Sequence, residues 1–274
     1  MKRRLLRRKK TASNDSMESA DLESSAGLEN AMSKAEYFAG QGNEHFYAGR
    51  LLAAVKNYTR AIEIDPEYAF AYHNRGVAFG LQGELRNAIA DYTKAIQIDP
   101  NYAAAYHNRA GVYRERGNYF LAIQDFTKAL EIEPADARAY FNRGSTYGAH
   151  CSYDASIEDY SEALRIDPEH AGSYYGRGTS YVYKGKYDLA IDDFSEAIRI
   201  DPQMSEAYQH RALAYMHLGV PEPALADCHS VIEIDPSNAK AFALRAEVWE
   251  RLRESDRSKA DRQRAVELGF SLDD

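Results

Sequence analysis

The sequence predicts an all-α protein built from paired helices that repeat every 34 residues. Six prolines recur at that interval, each directly after an aspartate or a glutamate: Pro66, Pro100, Pro134, Pro168, Pro202 and Pro236. With this proline as position 32, the repeats begin at residues 35, 69, 103, 137, 171, 205 and 239. A fixed period of this length is the signature of a repeat fold, in which each unit packs only against its neighbours.

The first helix of each repeat is predicted from one stripe of packing residues. Position 4 is tyrosine or phenylalanine, position 8 is glycine or alanine, and position 11 is mostly aromatic. The 4-8-11 spacing places these side chains on one face of an α-helix. Position 15, usually glycine, fits the left-handed residue that ends a helix, and Cys151 and Arg253 are the exceptions.

A second stripe, at positions 20, 24 and 27, predicts the second helix of each repeat. Position 20 is alanine or serine, position 24 is tyrosine or phenylalanine through repeat 5, and position 27 is alanine except at Val231. We expect the acidic residue and the proline at positions 31 and 32 to be the N-cap and first residue of the next helix. Upstream of repeat 1, Ser33 and Glu36 form a capping-box pattern, which predicts that order begins near residue 33.

These columns resemble the tetratricopeptide repeat (TPR) family over residues 35 to about 268. The family's marks are aromatic residues at positions 4, 11 and 24, small residues at positions 8, 20 and 27, and proline at position 32. Arginine at position 7 is a departure, because the family more often has leucine there. The resemblance implies a right-handed superhelical solenoid of antiparallel helix pairs with a concave inner groove.

The predicted domain organisation is a disordered tail over residues 1–32 and a solenoid over residues 33–270. The tail combines a basic tip with a segment rich in Ser, Glu and Asp that contains no aromatic residue. Repeat 7 is expected to be a capping repeat, because terminal repeats need a polar outer face. There Arg253 replaces the turn glycine, Ser258 stands at position 20, and Arg262 replaces the aromatic residue at position 24.

Two columns of opposite charge occur together in repeats 2 to 7, arginine at position 7 and aspartate at position 23. They are Arg75 and Asp91, Arg109 and Asp125, Arg143 and Asp159, Arg177 and Asp193, Arg211 and Asp227, and Arg245 and Asp261. Repeat 1 lacks both and has Gln41 and Asn57 instead. We therefore expect a structural bidentate pair between the two helices of each repeat. The alternative, an arginine ladder that grips an acidic ligand, requires guanidinium groups that are free.

A row of asparagines at position 6 predicts a peptide-binding groove. It comprises Asn74, Asn108 and Asn142, and the resemblance to TPR proteins implies that positions 2, 5, 6, 9, 12 and 13 line the groove. A carboxamide can pair with both the N–H and the C=O of a peptide. The row is similar to one in the repeats of O-linked GlcNAc transferases, which implies the same mode of binding here.

Other groove positions complete the predicted site. They are Asn43 at position 9 and, at position 5, His73, His107, Phe141 and Tyr175. Two alternatives to peptide contact stay open for the asparagines, namely hydrogen bonding within the superhelix and inheritance by recent repeat duplication. Because the row ends after repeat 4, the binding stretch is expected in the N-terminal half.

The function predicted from these features is a non-enzymatic scaffold that binds an extended segment of a partner protein. The sequence contains no phosphate-binding loop, nucleophile elbow or metal-binding motif, so we expect no small-molecule substrate, no cofactor and no metal. With only Cys151 and Cys228 and no signal peptide or long apolar run, the expected location is the cytoplasm.

The basic N-terminus supports an alternative function. Residues 2–10 hold seven Lys and Arg, and the remaining chain has 27 basic against 42 acidic residues, a net charge of −15. Such a tip could tether the chain to an anionic membrane or to nucleic acid, or direct it to the nucleus, with the repeats as a spacer. Self-association through an open repeat end is a further option.

Overall fold

The computed structural model describes residues 32–271 of the 274-residue chain. Almost all of the predicted N-terminal tail, including basic residues 2–10, therefore lies outside the described residues. The regular structure within residues 32–271 is entirely α-helical. Helix α1 covers 32–47, and the helices after it are α2 (Leu51–Ile64), α3 (Ala69–Leu81), α4 (Leu85–Ile98), α5 (Ala103–Glu115), α6 (Tyr119–Ile132), α7 (Ala137–Ala149), α8 (Tyr153–Ile166), α9 (Ala171–Tyr183), α10 (Tyr187–Ile200), α11 (Ser205–Leu218), α12 (Pro221–Ile234), α13 (Ala239–Arg251) and α14 (Ser255–Glu267).

The helices form two compact units that divide between Arg116 and Gly117. From α2 to α5 in the first unit, and from α6 to α14 in the second, each helix packs against the next along the chain. First helices of successive repeats also touch, α3 with α5 in one unit and α7, α9, α11 and α13 in the other. Second helices within a unit do not touch one another in the part of the chain described. First helices therefore line the inner face of each unit, and the predicted all-α solenoid of helix pairs is confirmed.

Close approach of the two helices in a repeat explains the small residues at position 8. The position-24 ring lies directly on the backbone of the first helix, so a Cβ added to Gly42 would come within 2.5 Å of Tyr58. The equivalent distance from Gly178 to Phe194 is 2.9 Å. The rings themselves are buried, with Tyr58 1% and Phe194 0% exposed. A larger side chain at position 8 would push the helices apart and open a gap in the core.

The acidic-Pro pair does not begin a helix, so that prediction was wrong. Asp65 is the C-cap of α2, and α3 begins at Ala69 after the N-cap Tyr68. The Asp65 carboxylate accepts a hydrogen bond from the Glu67 N–H at 3.0 Å, and its carbonyl accepts one from the Tyr68 N–H at 3.2 Å. Aspartate and proline are also the preferred first and second residues of a β-turn, and here that preference prevails.

The arginines of position 7 form bidentate pairs with the aspartates of position 23. Arg75 donates from Nε and Nη2 to the two carboxylate oxygens of Asp91, both at 2.8 Å. The same geometry, at 2.7–2.9 Å, joins Arg143 to Asp159, Arg177 to Asp193, Arg211 to Asp227 and Arg245 to Asp261. These aspartates are between 4% and 7% exposed. Arg109 and Asp125 belong to different units, and their pairing stays a prediction.

Each of these arginines except Arg245 also donates a hydrogen bond to a second partner, which the sequence analysis missed. Nη1 donates to a hydroxyl on the second helix of the preceding repeat, for example from Arg177 to Ser161 at 3.0 Å. The hydroxyls belong to Thr59, Thr93, Thr127, Ser161 and Ser195, all at position 25, and the distances are 2.8–3.0 Å. The guanidinium also lies 5.3–5.7 Å from the position-4 ring three residues earlier. These arginines are therefore engaged in the scaffold rather than free to hold a ligand.

The turn at position 15 requires a left-handed residue, which gives a first test of the fold. Glycine adopts it in five repeats, but Cys151 and Arg253 adopt it at φ values of 59° and 64°. Because a Cβ strains this conformation, Cys151→Gly should raise the free energy of unfolding by about 0.5–1 kcal/mol. The reverse change at an equivalent turn, Gly185→Cys (φ 69°), should lower it similarly. Urea denaturation of both variants measures this, and a change of the same sign in both would contradict the explanation.

The buried ion pair gives a second test, because its loss has a characteristic pH dependence. Burial raises the pKa of the Asp193 carboxyl, and the hydrogen bonds from Arg177 oppose that rise. In Arg177→Ala the opposition is lost, so the folded-state pKa rises further above the unfolded value. The folded state of the variant then binds a proton at Asp193 more tightly than the unfolded state does. The stability that this proton contributes is present at low pH and is lost as the pH rises through the pKa of the folded state. We expect a deficit of about 3 kcal/mol at pH 7 that shrinks towards pH 4.

Urea denaturation at the two pH values is the measurement, with Arg165→Ala as the control. Arg165 makes an exposed ion pair with Glu162, and surface pairs of this kind add little stability. Its removal should leave the unfolding midpoint nearly unchanged at both pH values. A deficit in Arg177→Ala that is equal at pH 7 and pH 4 would show that the uncompensated carboxylate is not its cause.

Candidate functional site

A continuous chain of hydrogen bonds joins the predicted groove asparagines of the first unit. The hydroxyl of Tyr58 donates to Asn43 Oδ1 at 2.7 Å, and Asn74 Nδ2 donates to the same oxygen at 3.2 Å. Asn74 Oδ1 lies 2.9 Å from His73 Nδ1, and His73 Nε2 lies 2.9 Å from Asn108 Nδ2. The chain links α1, α3 and α5, which are the first helices of three successive repeats. We call these five residues the amide network.

The network defines the protonation of His73. Because Asn74 Oδ1 can only accept, His73 Nδ1 carries the proton and Nε2 accepts from the amide of Asn108. Burial lowers the pKa of His73, and this outweighs the hydrogen bond to Asn74, which acts in the opposite direction. The ring also packs against Tyr102, with centroids 4.9 Å apart. A neutral imidazole in one tautomer therefore holds the amides of Asn74 and Asn108 in a single orientation.

Two polar atoms at the ends of the amide network have no partner within residues 32–271. They are the Nδ2 donor of Asn43 and the Oδ1 acceptor of Asn108. Asn43 and Asn74 also line a small pocket of about 60 Å³, together with Phe46, Tyr47, Tyr58 and Val77. The alternative of hydrogen bonding within the superhelix is thus realised for these asparagines, but it leaves the amide nitrogen of Asn43 and the amide oxygen of Asn108 available. His107 and Asn142 are half-buried, and their predicted roles stay predictions.

In the second unit, the structure brings Phe141 and Tyr175 into one pocket, which we call the ring pocket. It lies between α7, α8 and α9 and has a volume of about 280 Å³. Its lining consists of Phe141, Ser145, Gly148, Ala149, Tyr153, Tyr160, Gly172, Tyr175, Gly176, Thr179, Ser180 and Tyr183. The sequence feature that marks this pocket is Gly176, which follows the last asparagine of position 6. The sequence analysis predicted no site at that glycine.

A further pocket of about 240 Å³ lies between α11 and α13. Its apolar lining includes Leu213, Leu244 and Phe270, and Lys240 and Glu247 add one charge of each sign. Phe270 follows the last helix and reaches this inner face. No signal in the sequence predicted that contact, because the residue stands at the proline position of a repeat pattern that ends there.

Two further kinds of feature, a metal site and a membrane-spanning helix, are absent from residues 32–271. Residues 32–271 contain no group of three or more His, Cys, Asp or Glu side chains placed to hold a metal ion. None of the helices in that range is long and apolar enough to span a membrane.

Comparisons with known proteins agree with this architecture. A model described as "TPR repeat" matches residues 42–83 and 110–150. A model described as "Tetratricopeptide repeat" matches residues 69–102, 137–170 and 171–204. A further "Tetratricopeptide repeat" model matches residues 91–124. No curated protein matches the sequence.

Several solved structures share the fold. A tetratricopeptide repeat protein from Parabacteroides merdae is 23% identical, with a TM-score of 0.65 over 88% of this chain and 95% of its own. MamA is 27% identical, with a TM-score of 0.59 over 64% of this chain and 96% of its own. YrrB, described as a TPR protein with an unusual peptide-binding site, is 24% identical, with a TM-score of 0.61 over 68% of this chain and 95% of its own.

The matched segments run without a break from residue 42 to residue 204, which is more than half of the chain. Within each unit the helices pair as the repeat pattern requires, and small residues at position 8 contact aromatic residues at position 24. The chain belongs to the tetratricopeptide repeat family, and its fold is that of a protein-interaction scaffold.

Proposed function

We propose that this chain is a non-enzymatic scaffold that binds an extended segment of a partner protein on the inner faces of its first helices. The observation that carries the proposal is the amide network, whose ends present the free amide nitrogen of Asn43, a donor, and the free amide oxygen of Asn108, an acceptor. An extended peptide exposes the complementary C=O and N–H groups along its backbone. YrrB, a protein of the same fold, is described as having a peptide-binding site, which supports this use of the architecture.

The absence of enzymatic activity is part of the proposal, and the two cysteines support it. Burial raises the pKa of the Cys228 thiol to about 12, so this side chain stays protonated and unreactive at neutral pH. Cys151 is exposed, but it occupies a turn in place of glycine and lies outside the pockets described above. The cytoplasmic location and the tethering role of residues 2–10 remain predictions.

Removal of the groove asparagines should weaken partner binding without unfolding the chain. The triple variant Asn74→Ala, Asn108→Ala and Asn142→Ala removes the free Asn108 oxygen, and a hydrogen bond of about 0.5–1.5 kcal/mol corresponds to an affinity loss of about two- to tenfold. Alanine is the better helix former by about 0.5 kcal/mol per site, which offsets part of the lost intramolecular bonding. The melting temperature should therefore change little.

Twelve-residue peptides selected from a random display library on the wild-type chain provide the ligands, and calorimetry measures their affinity. Asn87→Ala, an exposed asparagine on α4, is the control and should bind as the wild type does. Failure to select any peptide would contradict the proposed function. Equal binding by the triple variant would place the contact elsewhere on the chain.

A single substitution separates peptide contact from integrity of the amide network. Asn43→Asp preserves the oxygen that accepts from Tyr58 and Asn74, but it replaces the free Nδ2 donor with a carboxylate oxygen. If that donor binds a partner carbonyl, affinity should fall at least about tenfold while the melting temperature stays within a few degrees. Unchanged affinity would show that Asn43 only supports Asn74.

A further inference from the structure

The ring pocket of the second unit has walls made mainly of aromatic rings. Phe141 and Tyr160 form one side, with ring centroids 5.8 Å apart and planes inclined by 52°. Tyr153 and Tyr183 form the other side and stack in parallel, with centroids 4.8 Å apart and an interplanar angle of 5°. Tyr183 is 66% exposed, so the pocket opens to solvent beside this ring.

The pocket exists because glycines replace larger residues on the inner face. At position 6, repeat 5 has Gly176, where the flanking repeats have Asn142 and His210. The Tyr160 ring occupies the space that a side chain would need, since a Cβ on Gly176 would lie 2.4 Å from its Cζ. Gly172 also lines the pocket, where an added Cβ would lie 3.4 Å from the Phe141 ring, in ordinary contact with it. The rings can therefore line a cavity instead of packing against side chains of α9.

The lining carries no charged side chain, and three of its hydroxyls, those of Tyr175, Thr179 and Ser180, make hydrogen bonds within the protein. Thr179 donates to the carbonyl of Tyr175 at 2.9 Å, and Ser180 donates to the carbonyl of Gly176 at 3.0 Å. The Tyr175 hydroxyl lies 3.3 Å from His210 Nδ1. A charged or strongly polar occupant would lose its hydration with little to replace it, which is unfavourable.

The volume limits the occupant further. Sites for drug-sized ligands measure about 300–1,000 Å³, so a cavity of about 280 Å³ lies at the small end of that range and has room for one large side chain. Rings inclined to one another offer edge-to-face and offset-stacked contacts, which an aromatic group uses and an aliphatic group does not. We propose that the ring pocket receives an uncharged aromatic side chain, Phe, Tyr or Trp, from the partner protein. This proposal deepens the function proposed above and rests on it.

Small probes of the side chain test the pocket on the full chain without the partner. The probes are N-acetylphenylalanine amide, N-acetylleucine amide and tetramethylammonium, and the readout is the shift of the Gly172 and Gly176 backbone amides in NMR spectra. The phenylalanine probe should saturate with a dissociation constant at least about fivefold lower than either of the others.

Three variants locate the binding. Tyr183→Ala removes one wall and should raise the dissociation constant of the phenylalanine probe at least about fivefold. Phe120→Ala removes a ring that is 69% exposed on α6, outside the pocket lining, and should leave binding unchanged. Gly176→Ala forces the Tyr160 ring to move and should also weaken the probe, and thermal melting checks that this variant is folded.

Tighter binding of tetramethylammonium would overturn the proposal in favour of a cation site, because aromatic walls also attract cations. Equal binding of the leucine probe, or no saturable shift with any probe, would overturn it as well. Failure of the ring-pocket proposal can be distinguished from failure of the proposed scaffold function. Selected peptides that bind while the phenylalanine probe does not would reject the ring pocket alone. Probe binding without any selected peptide would reject the scaffold role and leave only the preference of the pocket for an aromatic group.

Discussion

The ion pair made by the partly buried arginine at position 7 is the interaction on which repeats 2 to 7 of the scaffold depend. In Arg177, for example, one guanidinium joins the aspartate on the second helix of its own repeat to a hydroxyl on the second helix of the preceding repeat. It also lies over the Tyr174 ring of its own helix. Because a partly buried guanidinium tolerates few geometries, this contact holds three helices in one register.

Because position 7 makes the contacts between helices, the neighbouring inner-face positions 5 and 6 are free to vary. In the motif Ala-Tyr-His-Asn-Arg-Gly, the tyrosine, arginine and glycine pack between helices, whereas the histidine and asparagine face inwards. The first unit uses positions 5 and 6 for the amide network, and repeat 5 uses Tyr175 and Gly176 at the same positions to line a pocket. One backbone thus presents two different sets of inner-face side chains, because the scaffold contacts are made by other side chains.

Much of the fold could be predicted from the sequence, because each repeat restates the same pattern. The 34-residue period, the two packing stripes and the paired columns of arginine and aspartate all depend on contacts within one repeat or between neighbours. The Asp65-Pro66 pair was misinterpreted because its residues suit a turn as well as a helix start. The hydroxyls of position 25 and the ring pocket were missed because they depend on which side chains of adjacent repeats meet in space.

Three inner-face glycines line the ring pocket of the second unit. Glycine inside a helix costs about 1 kcal/mol relative to alanine, and Gly148, Gly172 and Gly176 all lie within helices. The other repeats fill position 2 with larger residues, from Ala104 to Arg138, so the TPR fold does not require glycine at Gly172. These glycines border the ring pocket, whose walls are already formed by rings. If the pocket receives the proposed aromatic side chain, such preformed walls reduce the ordering that binding requires and so strengthen it.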